Sequence, residues 1–174
     1  MKSASDWVNV RFVCSGASSP LPCDRLDKSF PQGDETVKSI IMAGGFGTRL
    51  RPLTNNLPKP MVPMVNRPMM EHIIELLKKN SITDLTALLY FQPEMISERL
   101  GDGSAFGVKL GYTTLTVDLG TAGAVGSAMR RLEGDETTLI ISGDVLTDID
   151  LNKAVEFHKE KGSVATIVLT RVEN

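Results

Sequence analysis

The chain has 174 residues, of which 41% are hydrophobic and 23% are charged, and its formal net charge is -2 at pH 7. These values suit one soluble globular domain with a sizeable core, and they exclude a broadly cationic surface for nucleic acid or membranes. No apolar run approaches the length of a membrane span and no secretory signal opens the chain, so we expect a cytoplasmic protein. Cys14 and Cys23 form no C-x-x-C pair, which argues against a zinc site.

Residues 1–36 carry no motif that we can assign. Within them, 7–13 alternates weakly between polar and apolar residues and is a candidate strand, whereas 15–22 is rich in serine and proline and is typical of a loop. We expect this leader to be an N-terminal extension of unknown role, either the tail of another domain or a flexible segment. The remaining residues, 37–174, then form one domain.

From residue 37 onward, predicted strands and helices alternate along the chain. Short apolar or alternating runs predict the strands, and apolar residues three or four apart predict the helices. This order predicts an α/β fold with a mostly parallel sheet and helices on both faces, and such sheets bind ligands at the carboxyl ends of their strands. The predicted strands are 37–42, 84–91, 108–116, 138–142 and 164–170, and the predicted helices are 68–80, 93–100, 123–132 and 150–162.

A glycine-rich stretch follows the first predicted strand, and the rest of the chain is organised around it. Gly44, Gly45 and Gly47 have no Cβ, so the backbone can curl and bring its N–H groups close to a ligand. Arg49 and Arg51 add fixed positive charge beside this loop. Backbone amides next to guanidinium groups indicate a site for phosphate oxygens, whereas the glycines alone would fit an ordinary turn.

Two common phosphate-binding motifs do not fit this stretch. A dinucleotide fingerprint, G-x-G-x-x-G, would need glycine at the position of Leu50. A Walker A loop that starts at Gly44 would need glycine at the position of Arg49. The pattern that remains is G-G-x-G-T-R-L, so an oxidoreductase-type dinucleotide site is disfavoured.

Two further charged residues lie in settings that favour a functional role. Lys59 lies between two prolines, which stiffen the backbone and so aim its ammonium group, although a solvated loop lysine is the alternative. Asp144 follows an apolar strand and Gly143, where a carboxylate is well placed to hold Mg²⁺, although a turn or capping aspartate is the alternative.

Other candidates depend on position alone. Gln92 lies at the end of a predicted strand, where its side-chain amide can read the edge of a base. Gly120 and Thr121 belong to a turn of small residues that enters a helix, so a base or ribose can lie against the backbone there. For Gly120 and Thr121, an ordinary turn is the alternative.

Residues 44–54 (G-G-F-G-T-R-L-R-P-L-T) and 57–63 (L-P-K-P-M-V-P) together resemble the signature of the sugar-1-phosphate nucleotidyltransferases, and within them the mannose-1-phosphate guanylyltransferase branch. The resemblance extends over about residues 37 to 170. It implies a Rossmann-like, glycosyltransferase-A-like fold. It also implies a reaction in which a sugar-phosphate oxygen attacks the α-phosphorus of a nucleoside triphosphate and pyrophosphate leaves.

The resemblance also implies roles for the candidate residues. Arg49, Lys59 and Asp144 would be the catalytic residues, with Arg49 and Lys59 on the phosphates and Asp144 as the ligand of the cofactor Mg²⁺. The expected nucleotide-binding residues are Gly44, Gly45, Gly47, Thr48, Arg49, Lys59, Gln92, Gly120, Thr121 and Asp144.

The expected substrates are a nucleoside triphosphate and a sugar 1-phosphate, with GTP and mannose 1-phosphate first and UTP or dTTP with glucose 1-phosphate second. We expect no nucleic-acid or membrane partner, and a homo-oligomer is a candidate assembly. Family members continue with a second half of the sugar pocket and a second metal-binding aspartate, so we expect residues 37–174 to be the nucleotide-binding portion of a domain that is incomplete at its C-terminus. A catalytically deficient nucleotide sensor or regulatory subunit is the alternative.

Overall fold

A computed structural model describes residues 11–15, 37–132 and 137–169 of the chain. None of the helices in these ranges is both long and apolar enough to cross a membrane. In chain order the strands and α-helices are β1 (Arg11–Ser15), β2 (Lys38–Met42), β3 (Pro63–Met64), β4 (Arg67–Pro68), α1 (Met69–Lys79), β5 (Asp84–Leu89), α2 (Pro93–Leu100), β6 (Lys109–Thr114), α3 (Gly120–Met129), β7 (Thr137–Ser142), α4 (Leu151–Lys161) and β8 (Ala165–Val168).

Six of the strands form one sheet in the order β6-β5-β2-β7-β1-β8. The four strands β6, β5, β2 and β7 run parallel to one another. The strand β1 runs antiparallel to both of its neighbours, β7 and β8. The short strands β3 and β4 form a separate hairpin. The prediction of an α/β fold with a mostly parallel sheet is therefore confirmed.

Successive residues of β2 bury their side chains on opposite faces of the sheet. Ile41 packs in one cluster with Ile73 of α1 and Val155 of α4. Ile40 packs in a second cluster with Ala128 of α3. Because side chains alternate between the two faces of a strand, a strand with apolar residues on both faces needs cover on both. The helices supply that cover, and the predicted arrangement of helices on both faces is confirmed.

The start of α3 differs from the predicted one. The helix begins at Gly120, whereas apolar periodicity places its start at residue 123. A local turn precedes the helix, in which the Asp118 carboxylate accepts a hydrogen bond from the Gly120 N–H at 2.9 Å. The first turn consists of small residues, so it adds no apolar stripe that a periodicity argument can detect.

Part of the leader forms a strand of the main sheet. The candidate strand 7–13 overlaps β1, of which the structure describes Arg11–Ser15. Residues 1–10 and 16–36 lie outside the described residues. The family resemblance starts after this segment, and the alternation within it is weak, so neither signal places it in the sheet.

The side chain of Asn80 joins the end of α1 to the start of α4. Its carbonyl oxygen accepts hydrogen bonds from the N–H groups of Leu151 at 3.1 Å and Asn152 at 3.4 Å. Asp150 caps the same helix by accepting a bond from a backbone N–H of its first turn at 3.1 Å. The predicted helix-end positions of Asn80 and Asp150 are confirmed. Together they fix the connection 143–150 between β7 and α4.

A buried carboxylate fixes the far end of the long loop that follows β2. Glu71 of α1 is 3% exposed, and it pairs with Arg67 at 3.1 Å and with Arg99 of α2 at 2.9 Å. Both of its oxygens thus have charged partners, as a buried charge requires. The pairs connect α1, α2 and the β3–β4 hairpin.

Candidate functional site

A cavity of about 280 Å³ opens at the carboxyl ends of β2, β5 and β7. Parallel strands end at the same edge of a sheet, so the segments that follow them converge there. The wall combines backbone without side chains, apolar side chains, one lysine and two carboxylates. Its lining residues are Met42, Ala43, Gly44, Gly45, Phe46, Lys59, Pro60, Leu88, Tyr90, Leu115, Asp118, Leu119, Gly120, Thr121, Ala124, Ser142 and Asp144.

The most strongly charged part of the wall is a pair of residues from two distant segments. The Lys59 ammonium group contacts Oδ2 of Asp144. The Ser142 hydroxyl donates a hydrogen bond to the other oxygen of the same carboxylate. The Lys59 and Asp144 side chains are 32% and 22% exposed, so a ligand in the cavity can still reach them.

This arrangement keeps Asp144 ionised. Burial of the carboxylate acts to raise its pKa, but the hydrogen bonds from Lys59 and Ser142 and the positive charge of Lys59 outweigh it. The net result is a pKa for Asp144 below its ordinary value of 3.8. The Asp144 carboxylate is therefore ionised at neutral pH.

The glycine loop packs directly against the segment that carries Lys59. Gly47 has φ +63°, and a Cβ on it would lie 2.9 Å from Cγ2 of Thr54 and 3.0 Å from Cβ of Lys59. The Thr54 hydroxyl donates a 2.6 Å hydrogen bond to the Gly47 carbonyl. Lys59 itself starts a 3-10 turn, Lys59–Met61, whose Pro60 is buried. The position of Lys59 is therefore fixed by the loop, as the flanking prolines predict.

The other two glycines of the loop differ from each other. A Cβ on Gly44 would lie 3.0 Å from Cβ of Tyr90, so packing within the protein accounts for that glycine. A Cβ on Gly45 would meet none of the described atoms within 4 Å, and Gly45 is exposed in the cavity wall. Packing against the described atoms therefore does not explain why residue 45 is a glycine.

Several predicted site residues lie outside the cavity wall. Gly47, Thr48 and Arg49 directly follow the lining residue Phe46, and Thr48 and Arg49 are exposed. Arg49 lies in the 3-10 turn Thr48–Leu50 and forms no ion pair within the described part of the chain. The structure thus brings Lys59 and Asp144 together but leaves Arg49 beside the cavity rather than in its wall.

Gln92 also lies outside the cavity wall, but its conformation is unusual. It has φ +46°, a region that residues other than glycine rarely adopt, and it precedes the first residue of α2. Its buried side-chain oxygen has no hydrogen-bond partner among the described residues. Backbone strain and an unpaired buried acceptor both occur more often at functional sites than elsewhere.

The structure adds wall residues that the sequence did not single out. Phe46 is 44% exposed, and its ring packs against the rings of Tyr90 at 5.5 Å and Phe91 at 5.1 Å between centroids. Ser142 and Asp118 add a hydroxyl and a second carboxylate. The available sequence signals were that Ser142 directly precedes Gly143 and that Asp118 lies two residues before Gly120. No sequence signal marks the aromatic group, because the three residues are brought together only by the fold.

The chain was also compared with known proteins. The family model for nucleotidyl transferase matches residues 38–174. The chain is 40% identical over 139 residues to a mannose-1-phosphate guanyltransferase of Debaryomyces hansenii. It is 37% identical over 146 residues to a UTP–glucose-1-phosphate uridylyltransferase of Synechocystis sp.. These matches cover 79% and 78% of the chain but 38% of each relative, so the chain spans much less than half the length of either.

The chain is also similar in fold to a solved structure. The structure of HddC from Yersinia pseudotuberculosis, complexed with GMP-PN, superimposes with a TM-score of 0.63 at 26% identity. The match covers 70% of this chain and 53% of that one.

Proposed function

The chain belongs to the nucleotidyl transferase family, and on that basis we propose that it binds a nucleoside triphosphate in the cavity and transfers the nucleotidyl group to a sugar 1-phosphate. Pyrophosphate is the second product. The observation that carries the proposal is the pair of Lys59 and Asp144 beside a loop of bare backbone at the carboxyl edge of the sheet. Lys59 is suited to phosphate oxygens, and Asp144 is suited to a cation that accompanies them.

The proposed reaction needs charge neutralisation more than a nucleophile from the protein. A sugar-phosphate oxygen attacks the α-phosphorus, and the bond from that phosphorus to the pyrophosphate oxygen breaks. Both reactants are anions, so the site has to offset their repulsion and hold them in line. Lys59 supplies positive charge for this purpose. The amides of Gly44 and Gly45 supply hydrogen bonds, and Gly45 has the free space that a close approach of phosphate requires.

Arg49 and Thr48 are assigned to the outer phosphates. They follow the lining residues of the glycine loop, and Arg49 has a long, exposed side chain with no competing ion pair in the described part of the chain. The proposal requires that the outer phosphates reach this guanidinium group beside the cavity. Arg49 would then stabilise the β- and γ-phosphates and the departing pyrophosphate.

The residues present fit a bound Mg²⁺. Asp144 offers a half-buried, ionised carboxylate in the cavity wall, and Ser142 orients it. Mg²⁺ typically takes one or two protein carboxylates together with substrate phosphates. The described residues contain no cluster of three or more acidic, histidine or cysteine ligands, which is consistent with phosphates completing the coordination. When bound, the ion would neutralise charge on the phosphates.

The nucleoside is assigned to the part of the cavity wall that the start of α3 forms. Gly120 and Thr121 lie in the first turn of α3, where small residues leave room for a base or ribose. Leu115 and Leu119 add apolar side chains to the cavity wall. Gln92 remains a candidate for reading the base, because its buried oxygen can accept a hydrogen bond that the described residues do not supply.

We propose GTP and mannose 1-phosphate as the substrates. The Debaryomyces relative acts on mannose 1-phosphate by name, and HddC was solved with the guanosine analogue GMP-PN. UTP or dTTP with glucose 1-phosphate is the second candidate, because the Synechocystis relative is a UTP–glucose-1-phosphate uridylyltransferase. We place the activity in the cytoplasm.

A catalytically deficient nucleotide sensor with the same fold is the other candidate. The contact between Lys59 and Asp144 favours catalysis over this candidate. Release of pyrophosphate separates the two. The full chain is incubated with Mg²⁺, each of GTP, UTP and dTTP, and each of mannose 1-phosphate and glucose 1-phosphate. Release that requires both substrates supports the transferase. Triphosphate binding without release supports the sensor, and no binding of any triphosphate contradicts both.

A further inference from the structure

The last strand of the described chain is connected to the sheet through the leader. β1 forms a ladder with β7 on one side and with β8 on the other. Cys14, for example, lies opposite Thr138 of β7 and opposite Ala165 of β8. Among the described strands, β8 pairs with β1 and with no other. The main-chain hydrogen bonds that hold β8 in the sheet are therefore those to the leader.

The directions of the strands show what β1 replaces. β7 and β8 are both antiparallel to β1, so they are parallel to each other, and α4 connects them. Adjacent strands are about 4.8 Å apart, so two strands on either side of a third are about 10 Å apart and cannot bond to each other. Without β1, this β7–α4–β8 unit would contain a gap one strand wide. Unpaired N–H and C=O groups would line both sides of the gap.

The strand that fills the gap comes from outside the family match. That match begins at residue 38, at the start of β2, and β1 ends at Ser15. We propose that residues 11–15 act as an internal complementing strand, which fills the gap between β7 and β8 and so holds the last β-α-β unit on the sheet. Residues 11–15 of the leader are then a part of this fold.

The consequence reaches the functional site through β7. Asp144 follows the carboxyl end of β7, and β1 pairs with the opposite end, from Thr137 to Ile140. With β1 in place, β7 has a partner on each side and is not an edge strand. The strand β8, which is the other neighbour of β1, is joined to α4 by a 2.9 Å hydrogen bond between the side chains of His158 and Thr166. The strand β1 thus completes the support of β7, which positions Asp144.

Disulfide trapping tests the position of β1 through the native Cys14. In a Cys23→Ser background, Thr138→Cys and Ala165→Cys each place a second thiol directly opposite Cys14, from the two sides of the gap. Residues directly opposite in paired strands have Cβ atoms about 4.5–5.5 Å apart, close enough for a disulfide to form with small adjustments. Thr166→Cys is the matched control, because its register partner is Val13 and its side chain belongs to the other face.

Under mild oxidation we expect an intramolecular Cys14 disulfide in most molecules of the two test variants and in few molecules of the control, as mapped by mass spectrometry. Equal linkage in the control, or no linkage in both test variants, would overturn the proposal. A disulfide between two chains would also overturn it, because the occupant of the gap would then be another copy's leader.

Hydrogen exchange supplies a readout that needs no cysteine. Val13→Pro removes one N–H donor from the middle of β1 and restricts its φ, so it weakens the ladder. Ser18→Pro, in a segment that already contains Pro20 and Pro22, is the control. We expect the amides of 165–168 to lose protection in the first variant only. Protection at wild-type level in Val13→Pro would count against a complementing role for β1.

Discussion

The Lys59 ammonium group contacts one oxygen of the Asp144 carboxylate, so a cation from the loop and an anion from a strand end neutralise each other in the cavity wall. An anionic ligand draws Lys59 away from the carboxylate, whereas a metal ion competes with Lys59 for it. A triphosphate that arrives with its Mg²⁺ satisfies both groups at once. Metal binding and triphosphate binding at this site should therefore be coupled.

Asp144→Asn tests this coupling. The substitution keeps the size of the side chain but removes the negative charge, so Mg²⁺ loses its protein ligand while Lys59 stays available for phosphate. We expect Mg²⁺ to increase the triphosphate affinity of the wild-type chain but not of the variant, as measured by calorimetric titration with and without the metal. Turnover should fall on the order of 100-fold. Asp148→Asn, an exposed carboxylate on the same connection, should retain the metal dependence.

Gly45→Ala separates ligand binding from folding. The added methyl group meets none of the described atoms within 4 Å, so the free energy of unfolding should change by less than about 0.5 kcal/mol. Triphosphate affinity should nevertheless fall, because the methyl group occupies space that the proposal assigns to phosphate. Gly47→Ala is the comparison, and with φ +63° and two close neighbours it should lose about 1–2 kcal/mol of stability or more. Unchanged affinity in Gly45→Ala would remove the loop from the binding site.

Arg49→Ala tests a residue that the structure leaves beside the cavity. The side chain is exposed and has no ion pair in the described part of the chain, so its removal should leave the urea midpoint unchanged. If Arg49 contacts the β- and γ-phosphates, the variant should lose affinity for GTP by about tenfold and for GMP hardly at all. Arg51→Ala is the control for a general loss of charge. Equal losses for GTP and GMP would place Arg49 elsewhere on the nucleotide.

His158 should make stability depend on pH. Burial of the ring, with a smaller contribution from the Lys159 charge, lowers the pKa of His158 below its ordinary value of 6.5. The folded chain therefore resists a proton that the unfolded chain accepts, so stability is full above pH 6.5 and falls as the pH drops below it. The urea midpoint should decrease between about pH 7.5 and pH 5.5, and His158→Gln should reduce that decrease.

Local patterns predicted the fold correctly, and they singled out Lys59 and Asp144, which the structure places in contact. The apolar strand before Gly44 and the one before Asp144 are neighbours in a parallel sheet, so their carboxyl ends had to meet. The prolines around Lys59 indicated a fixed backbone, and the structure shows a 3-10 turn packed on Gly47. These inferences succeed because strand direction and local backbone restraints are properties of short segments.

Long-range relationships were not predictable in the same way. Asn80 was identified as the end of a helix, but its hydrogen bond to Leu151 spans 71 residues and leaves no mark in either segment. The contact of Phe46 with Tyr90 and Phe91 depends on how the glycine loop folds over β5. The position of β1 depends on a gap that exists only after β7 and β8 have been placed.

Calorimetric titration of the full chain with GTP and Mg²⁺, beside the Lys59→Met variant, tests the central claim most directly. Lys109→Met, which removes a lysine that is 83% exposed, serves as the control for charge. We predict saturable binding by the wild-type chain and the control, and binding at least about tenfold weaker in Lys59→Met, because the charge that faces the phosphates is lost. Equal affinity in all three proteins would contradict the assignment of the phosphates to Lys59, and no binding of GTP, UTP or dTTP by the wild-type chain would contradict the nucleotide site itself.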